Sequence, residues 1–483
     1  MKSKLLKKPG SYLSVVLIIV IFLIGFLARF YLLGNIPSGL YWDEVAMLAD
    51  AKTLANFGHD LHGHSWLQSL FISYGDYKSP VFIWLATLSV KLFGATNFAL
   101  RIVSALAGLA SMLLSLLIVQ ELFPKVKNRL CLLLGTIFTI ALSPWAIMFS
   151  RTAFEGHLAQ MLVSVAVLFL LKSKKKKWML LLSIFCASLA TYTYYSVRFV
   201  WPIILVVGLW LINKQKKKFE WGNFVLMAVG SGLIYSASLL PMLNSPFYQA
   251  SNQFRFSANS VLNAKDWVVE SNQLRQLAGN VLNSRFFYHR HWLLIRKFAQ
   301  NLANNLSLNF LFVGGDSNLR HGTTQHGLFL FPFVIPFLVG LYVLAKKRFR
   351  ELLFLVCWWL AALVPASVPL ETPHALRSLN ALMPLTLIIG FGSYQLLNLI
   401  LVKQKKQVFL SKIFSLITIV LCLASFAGFS YHYFNVYPQD SAHNWQAGYE
   451  QLAKKVCAYQ NKADKIWIQL TDQRFFLWPL AYC

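Results

Sequence analysis

Charge is scarce in this sequence. Only 13% of its residues are Asp, Glu, Lys or Arg, against about 25% in ordinary globular chains. Acids are scarcer still, 17 against 45 Lys and Arg. That composition excludes a disordered chain and a coiled coil. Cysteine is sparse too, six in 483 residues, which excludes a secreted disulfide scaffold. Cys131, Cys186, Cys357 and Cys422 lie in apolar runs, while Cys457 and Cys483 fall in the tail and could pair if the tail is outside the cell. No small-residue cleavage site follows the first apolar run, so its basic start (Lys2, Lys4, Lys7, Lys8) flanks a retained helix and not a cleaved leader. Internal repeats are absent, as is low-complexity sequence beyond the Lys runs. Those runs lack the interleaved aromatics of a nucleic-acid groove, and a nucleic-acid partner is set aside.

What is present is apolar length. Hydrophobic residues make up 57%, with 39 Phe, 19 Tyr and 15 Trp. Two or three soluble domains, the usual reading of this length, are thereby excluded, and the chain reads as an integral membrane protein. A crossing helix needs about 20 residues. Candidate spans are 11–33, 97–121, 129–148, 156–172, 178–195, 198–213, 222–243, 327–345, 351–369, 378–400 and 408–430, eleven in all.

The apolar stretch 79–93 is only 15 residues long, and charge decides its place. Six basic clusters (2–8, 125–129, 172–177, 214–218, 346–350 and 403–412) hold 24 of the 45 Lys and Arg, with only Glu121, Glu220 and Glu351 beside them. Placing every cluster in the cytoplasm satisfies the positive-inside rule only if 79–93 does not cross. It is expected to lie as a juxtamembrane helix on the outer leaflet. The N-terminus is then inside, and the C-terminus outside. A transmembrane domain, 1–430, carries large external loops at 34–96 and 244–326, and an external tail follows at 431–483. The tail reads as small α/β: a helical pattern near 443–460, then strand-like alternation in Lys-Ile-Trp-Ile-Gln-Leu at 465–470.

Polar residues gather in the external segments. The first loop opens Tyr-Trp-Asp-Glu, with Asp43 and Glu44 just past the first span. Such carboxylates are a general base or metal ligand on one reading, and a helix N-cap and first-turn acid on the other. Lys78, two residues before Pro80, suits a phosphate at a helix N-terminus, or a lysine snorkelling to the interface. Arg101 enters the second span. Arg151 and Glu155, four apart, read as a helical salt bridge. Arg198 ends an aromatic belt, Thr-Tyr-Thr-Tyr-Tyr-Ser-Val-Arg. His374 and Arg377, three apart, would share a helix face. The long loop ends Gly-Gly-Asp-Ser-Asn-Leu-Arg320-His321. His59, His62 and His64 match no metal signature and read as solvated. In the topology above Asp43, Glu44, Lys78, Arg101, Glu155, Arg198, His374 and Arg377 share one outer face. Carboxylates among cations at a lipid boundary suit a lipid-linked phosphate with its sugar in water: cations neutralise the leaving phosphate, and a carboxylate deprotonates an acceptor hydroxyl.

Seven motifs in order, YWDE, YKSP, LFGATNFALR, SPWAIMFSRTAFE, TYTYYSVRFVWP, FLFVGGDSNLRH and HALRSLNALMP, resemble the bacterial membrane glycosyltransferases of family 39, in the dolichyl-phosphate-mannose protein mannosyltransferase superfamily. The aminoarabinose transferases are more distant relatives. The resemblance runs from about Gly39 to Tyr449. It implies the all-α, polytopic GT-C fold with two juxtamembrane helices in the first external loop. It also implies Asp43 as catalytic carboxylate, Lys78 as the contact to the carrier phosphate, and Arg101 and Glu155 at matching polar positions. The family commonly has Lys-Pro-Pro where this chain has Lys78-Ser-Pro. The aminoarabinose branch has an acid where Tyr77 stands, which puts a metal site using that acid in doubt.

The expected activity is an inverting transfer of a hexosyl or pentosyl group from a polyprenyl-phosphate-linked donor to a protein, lipid or cell-wall polymer acceptor, on the outer face of the cell membrane. Asp43 is the expected base, with Glu44 and Glu155 orienting acceptor or sugar. Lys78, Arg101, Arg151, Arg198, His374 and Arg377 are the expected substrate-binding set. No metal ligand is assigned, and a divalent metal is left open as cofactor. The alternative is a transporter or flippase of lipid-linked precursors, which would want polar residues at mid-membrane and internal repeats.

Overall fold

A computed structural model describes residues 9–74, 76–214, 219–256, 260–262, 264–279, 281–401, 406–469 and 474–483. Its helices begin with α1 (Pro9–Phe30), α2 (Trp42–Phe57) and, after a hairpin of β1 (Phe71–Ser73) and β2 (Asp76–Lys78), α3 (Pro80–Phe93). The bundle continues with α4 (Asn97–Leu122), α5 (Arg129–Ala141), α6 (Pro144–Ser150), α7 (Glu155–Lys172), α8 (Met179–Thr191), α9 (Val197–Lys214) and α10 (Trp221–Ser238). After the short α11 (Leu240–Leu243), four helices occupy the described residues of the long loop: α12 (Tyr248–Phe256), α13 (Ala264–Leu277), α14 (Leu282–Phe287) and α15 (Arg290–Leu306). Four more bundle helices follow, α16 (Val334–Lys347), α17 (Phe349–Ala366), α18 (Leu382–Leu401) and α19 (Lys406–Tyr431). The tail carries α20 (Tyr437–Asp440), α21 (Tyr449–Tyr459) and α22 (Leu477–Tyr482).

Each of the eleven expected spans contains a helix of the bundle. Among the described residues seven are long and apolar enough to cross a membrane alone, and eight if α5 and α6, bent by 59°, form one broken span. The chain is a multi-pass membrane protein. Pro144 at the start of α6 accounts for the bend, since proline suits a first turn and not a helix interior. The helix α8 stops at Thr191, short of the expected 195, and Thr193–Tyr195 line a cavity.

The apolar stretch 79–93 forms α3, a 14-residue helix with Pro80 in its first turn, packed against α2 and α4. Both juxtamembrane helices are therefore present where the resemblance placed them. The tail differs from expectation. Residues 465–469 form no strand, and α22 instead drives Leu477, Trp478 and Ala481 into the apolar core of α2 and α3. An alternating pattern forms a strand only where a sheet edge accepts its backbone. Here the tail's apolar side chains bury against helices. Cys457 and Cys483 form a disulfide, Cα–Cα 5.6 Å, closing α21 and α22 onto one another.

The helices give the bundle two ends. The helices α4, α7 and α18 all start near the first loop, and α4 and α7 finish at the basic segments, where Lys175 Nζ meets Glu121 Oε2 at 2.8 Å. At the other end α2, α3, the hairpin, the turn 370–378 and the tail come together.

Candidate active site

The helix α2 begins after Tyr41. Glu44, its third residue, accepts the Tyr41 backbone N–H at 3.4 Å, so Glu44 and not Asp43 caps the helix. Asp43, one position earlier, is turned about 100° around the axis and faces out of the bundle core. The β-hairpin pairs Phe71 with Lys78 and Ser73 with Asp76. Residues two apart on a strand share a face, which sets Asp76 and Lys78 side by side. Lys78 Nζ lies 3.0 Å from Asp43 Oδ1, 3.3 Å from Asp76 Oδ2 and 3.9 Å from Glu155 Oε1. Glu155 is the first residue of α7. Three segments distant in sequence, the start of α2, the hairpin and the start of α7, thus meet at one ammonium. Burial would lower the pKa of Lys78, but Asp43, Glu155 and Asp76 outweigh it and hold the ammonium above its ordinary value.

A cavity of about 260 Å³ opens over this cluster. Besides Asp43, Asp76, Lys78 and Glu155, its wall carries Tyr41, Arg320, His321, Glu371, His374 and Arg377. The second wall is built by the C-terminal end of the long loop and the turn after α17. A five-residue π-turn, Asn309–Val313, leads to Gly315, whose φ of 68° and close approach to the His326 carbonyl demand glycine. Asp316 then accepts the backbone N–H groups of Asn318 at 2.9 Å and Ala375 at 2.7 Å, which joins this loop to the turn after α17. Asn318 Oδ1 fixes Arg320 through its backbone N–H at 3.0 Å and its Nε at 3.3 Å. The guanidinium lies 3.9 Å from the Tyr41 ring centroid. Asn305 of α15 accepts the His374 backbone N–H at 3.2 Å. His374 is buried, and burial with the neighbouring His321, Arg377 and Arg320 drives its pKa well below the ordinary value, so its ring is neutral. His374 and Arg377 share no helix, since 374–378 is a turn. The Arg377 N–H donates to His374 Nδ1 at 3.4 Å and brings the pair together all the same.

The cavity therefore has an acidic side around Lys78 and a basic side of Arg320 and Arg377. Asp316, His321 and His374 carry ligand atoms all within 4.8 Å of one another, and this Asp-His-His set is of a kind that holds divalent ions. Neutral His374 is in the ligand form.

Of the residues expected in the site, Asp43, Lys78, Glu155, His374 and Arg377 line the cavity, while Glu44, Arg101, Arg151 and Arg198 do not. Glu44 and Arg101 are fully buried and pair at 3.1 Å. Arg101 also donates to the Pro37 carbonyl at 2.9 Å and to the Gly39 carbonyl. Glu44 Oε1 accepts the Ala153 N–H at 2.5 Å. Arg151 forms no salt bridge with Glu155, because the chain breaks between α6 and α7. Its guanidinium donates to the carbonyls of Ala28, Leu32 and Ile36 at 3.1–3.3 Å, tying the end of α1 to the bundle. Arg198 sits over the Tyr195 ring at 3.5 Å. Asp76, Asp316, Arg320, His321 and Glu371 were not assigned from sequence. The two-residue spacing of Asp76 and Lys78 was the available signal, as was the Arg320-His321 pair closing a Gly-Gly-Asp turn.

Comparison with known proteins agrees with this architecture. The family described as dolichyl-phosphate-mannose-protein mannosyltransferase matches residues 77–239, a third of the chain. No curated protein matches it in sequence. Among solved structures it is similar to ArnT from Cupriavidus metallidurans bound to undecaprenyl phosphate, with TM-score 0.55 and 12% identity, covering 98% of this chain and 85% of that one. It is also similar to the Archaeoglobus fulgidus oligosaccharyltransferase, with TM-score 0.57 and 13% identity, covering 98% of this chain and 64% of that one. A further structure of that archaeal protein, AglB, in complex with an inhibitory peptide and a dolichol-phosphate, aligns with TM-score 0.52 at 14% identity. These likenesses show that the chain shares the fold of these membrane proteins.

Proposed function

We propose that the chain is an inverting membrane glycosyltransferase that takes its sugar from a polyprenyl-phosphate-linked donor. The observation that carries this reading is the convergence of Asp43, Lys78 and Glu155 in the wall of a cavity whose other side is Arg320 and Arg377. Relatives in fold bind undecaprenyl phosphate and a dolichol-phosphate, and this supports a donor of that class. Of the three carboxylates around Lys78, Asp43 is the most open to an acceptor hydroxyl, its side chain 32% exposed against 23% for Asp76 and 10% for Glu155. As the acceptor oxygen bonds to the anomeric carbon, its proton passes to Asp43, and the bond from that carbon to the phosphate oxygen breaks. The phosphate leaves with the electron pair, and Arg320 and Arg377 stabilise its charge. Lys78 holds the carboxylates in place. With hydrogen-bond contacts to only two of them, its third N–H is available to the phosphate. Glu155 positions Lys78 and the sugar. A divalent ion, if the enzyme uses one, would be held by Asp316, His321 and His374 and would add positive charge on the phosphate side. The active site and tail face outside the cytoplasm, a placement supported by the basic loops at the other end and by a disulfide, which persists in oxidising compartments.

The test is release of free polyprenyl phosphate in proteoliposomes loaded with a sugar-bearing polyprenyl phosphate and acceptor extract. The enzyme reading expects a free carrier and a new glycoside in equal amounts. Movement of intact donor between leaflets with no carrier released would contradict it and favour the transporter reading.

A further inference from the structure

At the end of the bundle away from the candidate active site, a second cavity of about 400 Å³ lies between the α4–α5 loop, the corner of α16 and α17, and the last turns of α18. Its charge has one sign. Lys125, Lys127, Lys347 and Arg348 line it, and no carboxylate does. Among the described residues the acid paired with these cations is Glu351, 3.8 Å from Arg348. Arg348 donates to the Lys125 carbonyl at 3.4 Å and so ties the two loops into one rim. Phe391 and Tyr394 of α18 supply an aromatic wall, with Asn128, Gln395 and Asn398 beside it. Asn128 Nδ2 donates to Asn398 Oδ1 at 2.5 Å and closes the far edge. The helices α5 and α17 both begin at this rim, at Arg129 and Phe349, adding the positive ends of two helix dipoles. Four cations in one concavity repel one another unless an anion sits among them.

The position selects the class of anion. The cavity lies where span-length helices end, at the depth of lipid headgroups, and basic pockets between helix ends suit anionic headgroups. Beside it α16 exposes Leu338 and Tyr342, a surface for acyl chains. We propose that this cavity binds the headgroup phosphate of an anionic phospholipid in the leaflet opposite the candidate active site. The four cations hold the phosphate, the amides take the glycerol and ester oxygens, and the lipid fastens the corner of α4, α5, α16, α17 and α18.

Native mass spectrometry of the full chain in detergent, titrated with phosphatidylglycerol, tests the site. Retention of a discrete lipid is expected, with phosphatidylcholine held about tenfold more weakly or less. Joint substitution Lys125→Gln, Lys127→Gln, Lys347→Gln and Arg348→Gln should weaken phosphatidylglycerol about tenfold or more, and Lys→Arg at the three lysines should preserve it. Removing the same number of charges at Lys174, Lys175, Lys176 and Lys177 should leave it unchanged. Unaltered affinity in the first variant, an equal loss in the last, or equal retention of phosphatidylcholine overturns the proposal. Competition by inorganic phosphate overturns the lipid assignment and marks a site for free phosphate.

Discussion

Asp43 and Glu44 are chain neighbours with opposite surroundings. Glu44 spends both oxygens inside the protein, on Arg101, Ala153 and the start of its own helix. Breaking a buried pair leaves an uncompensated charge, at a cost of about 3–5 kcal/mol. Arg101→Ala should therefore lower the thermal stability of the purified protein by that order, read from its unfolding in detergent, and Glu44→Gln should do so less. Asp50, buried on α2, behaves differently. Desolvation, with Asp60 nearby and against a hydrogen bond from Leu61, raises its pKa to about 8. A carboxyl whose folded pKa lies above its unfolded value stabilises most at low pH and loses that contribution as pH rises toward 8. Asp50→Asn should flatten the fall in melting temperature between pH 5 and pH 8, on the order of a few kcal/mol at the upper end. An unchanged slope would show that Asp50 titrates normally.

The packing of α18 shows what small residues do between elements. A Cβ at Gly392 would run into the Pro336 carbonyl, and one at Gly340 into the Ile388 carbonyl. The helices α16 and α18 cross with their backbones nearly touching, as membrane helices do where small residues meet. Gly392→Leu has no room to relax and should abolish monodisperse protein on size exclusion, while a surface control such as Gly222→Leu, with nothing near its Cβ, should not. The tail depends on its disulfide and on α22. Cys457→Ser opens a loop with a sequence separation of 26 and should cost about 2–4 kcal/mol, seen as faster proteolysis after Lys454. Because α22 packs on α2, which carries Asp43, that loosening should also reduce transfer.

Across the whole molecule, the two ends were legible in the sequence because charge and apolar length act over long windows. Eleven apolar runs, six basic clusters and the short stretch 79–93 fixed which segments share an end, and Asp43, Lys78, Glu155, His374 and Arg377 do meet there. Which cations face the cavity was not legible. Carbonyls from distant segments, those of Pro37 and Ala28, turn Arg101 and Arg151 inward, while Arg198 is held over the ring of Tyr195 three residues before it. Arg320 depends on Asn318 and Asp316 folding a turn onto residues 374–377, a contact between loops with no periodic signature. The most direct measurement is the single-turnover rate of sugar transfer from a polyprenyl-phosphate donor by Asp43→Asn, with donor binding measured on the same sample. A fall of about 10²–10⁴-fold with binding retained is expected of a lost general base. Transfer at the parental rate would contradict the assignment of Asp43 and of the cavity it lines.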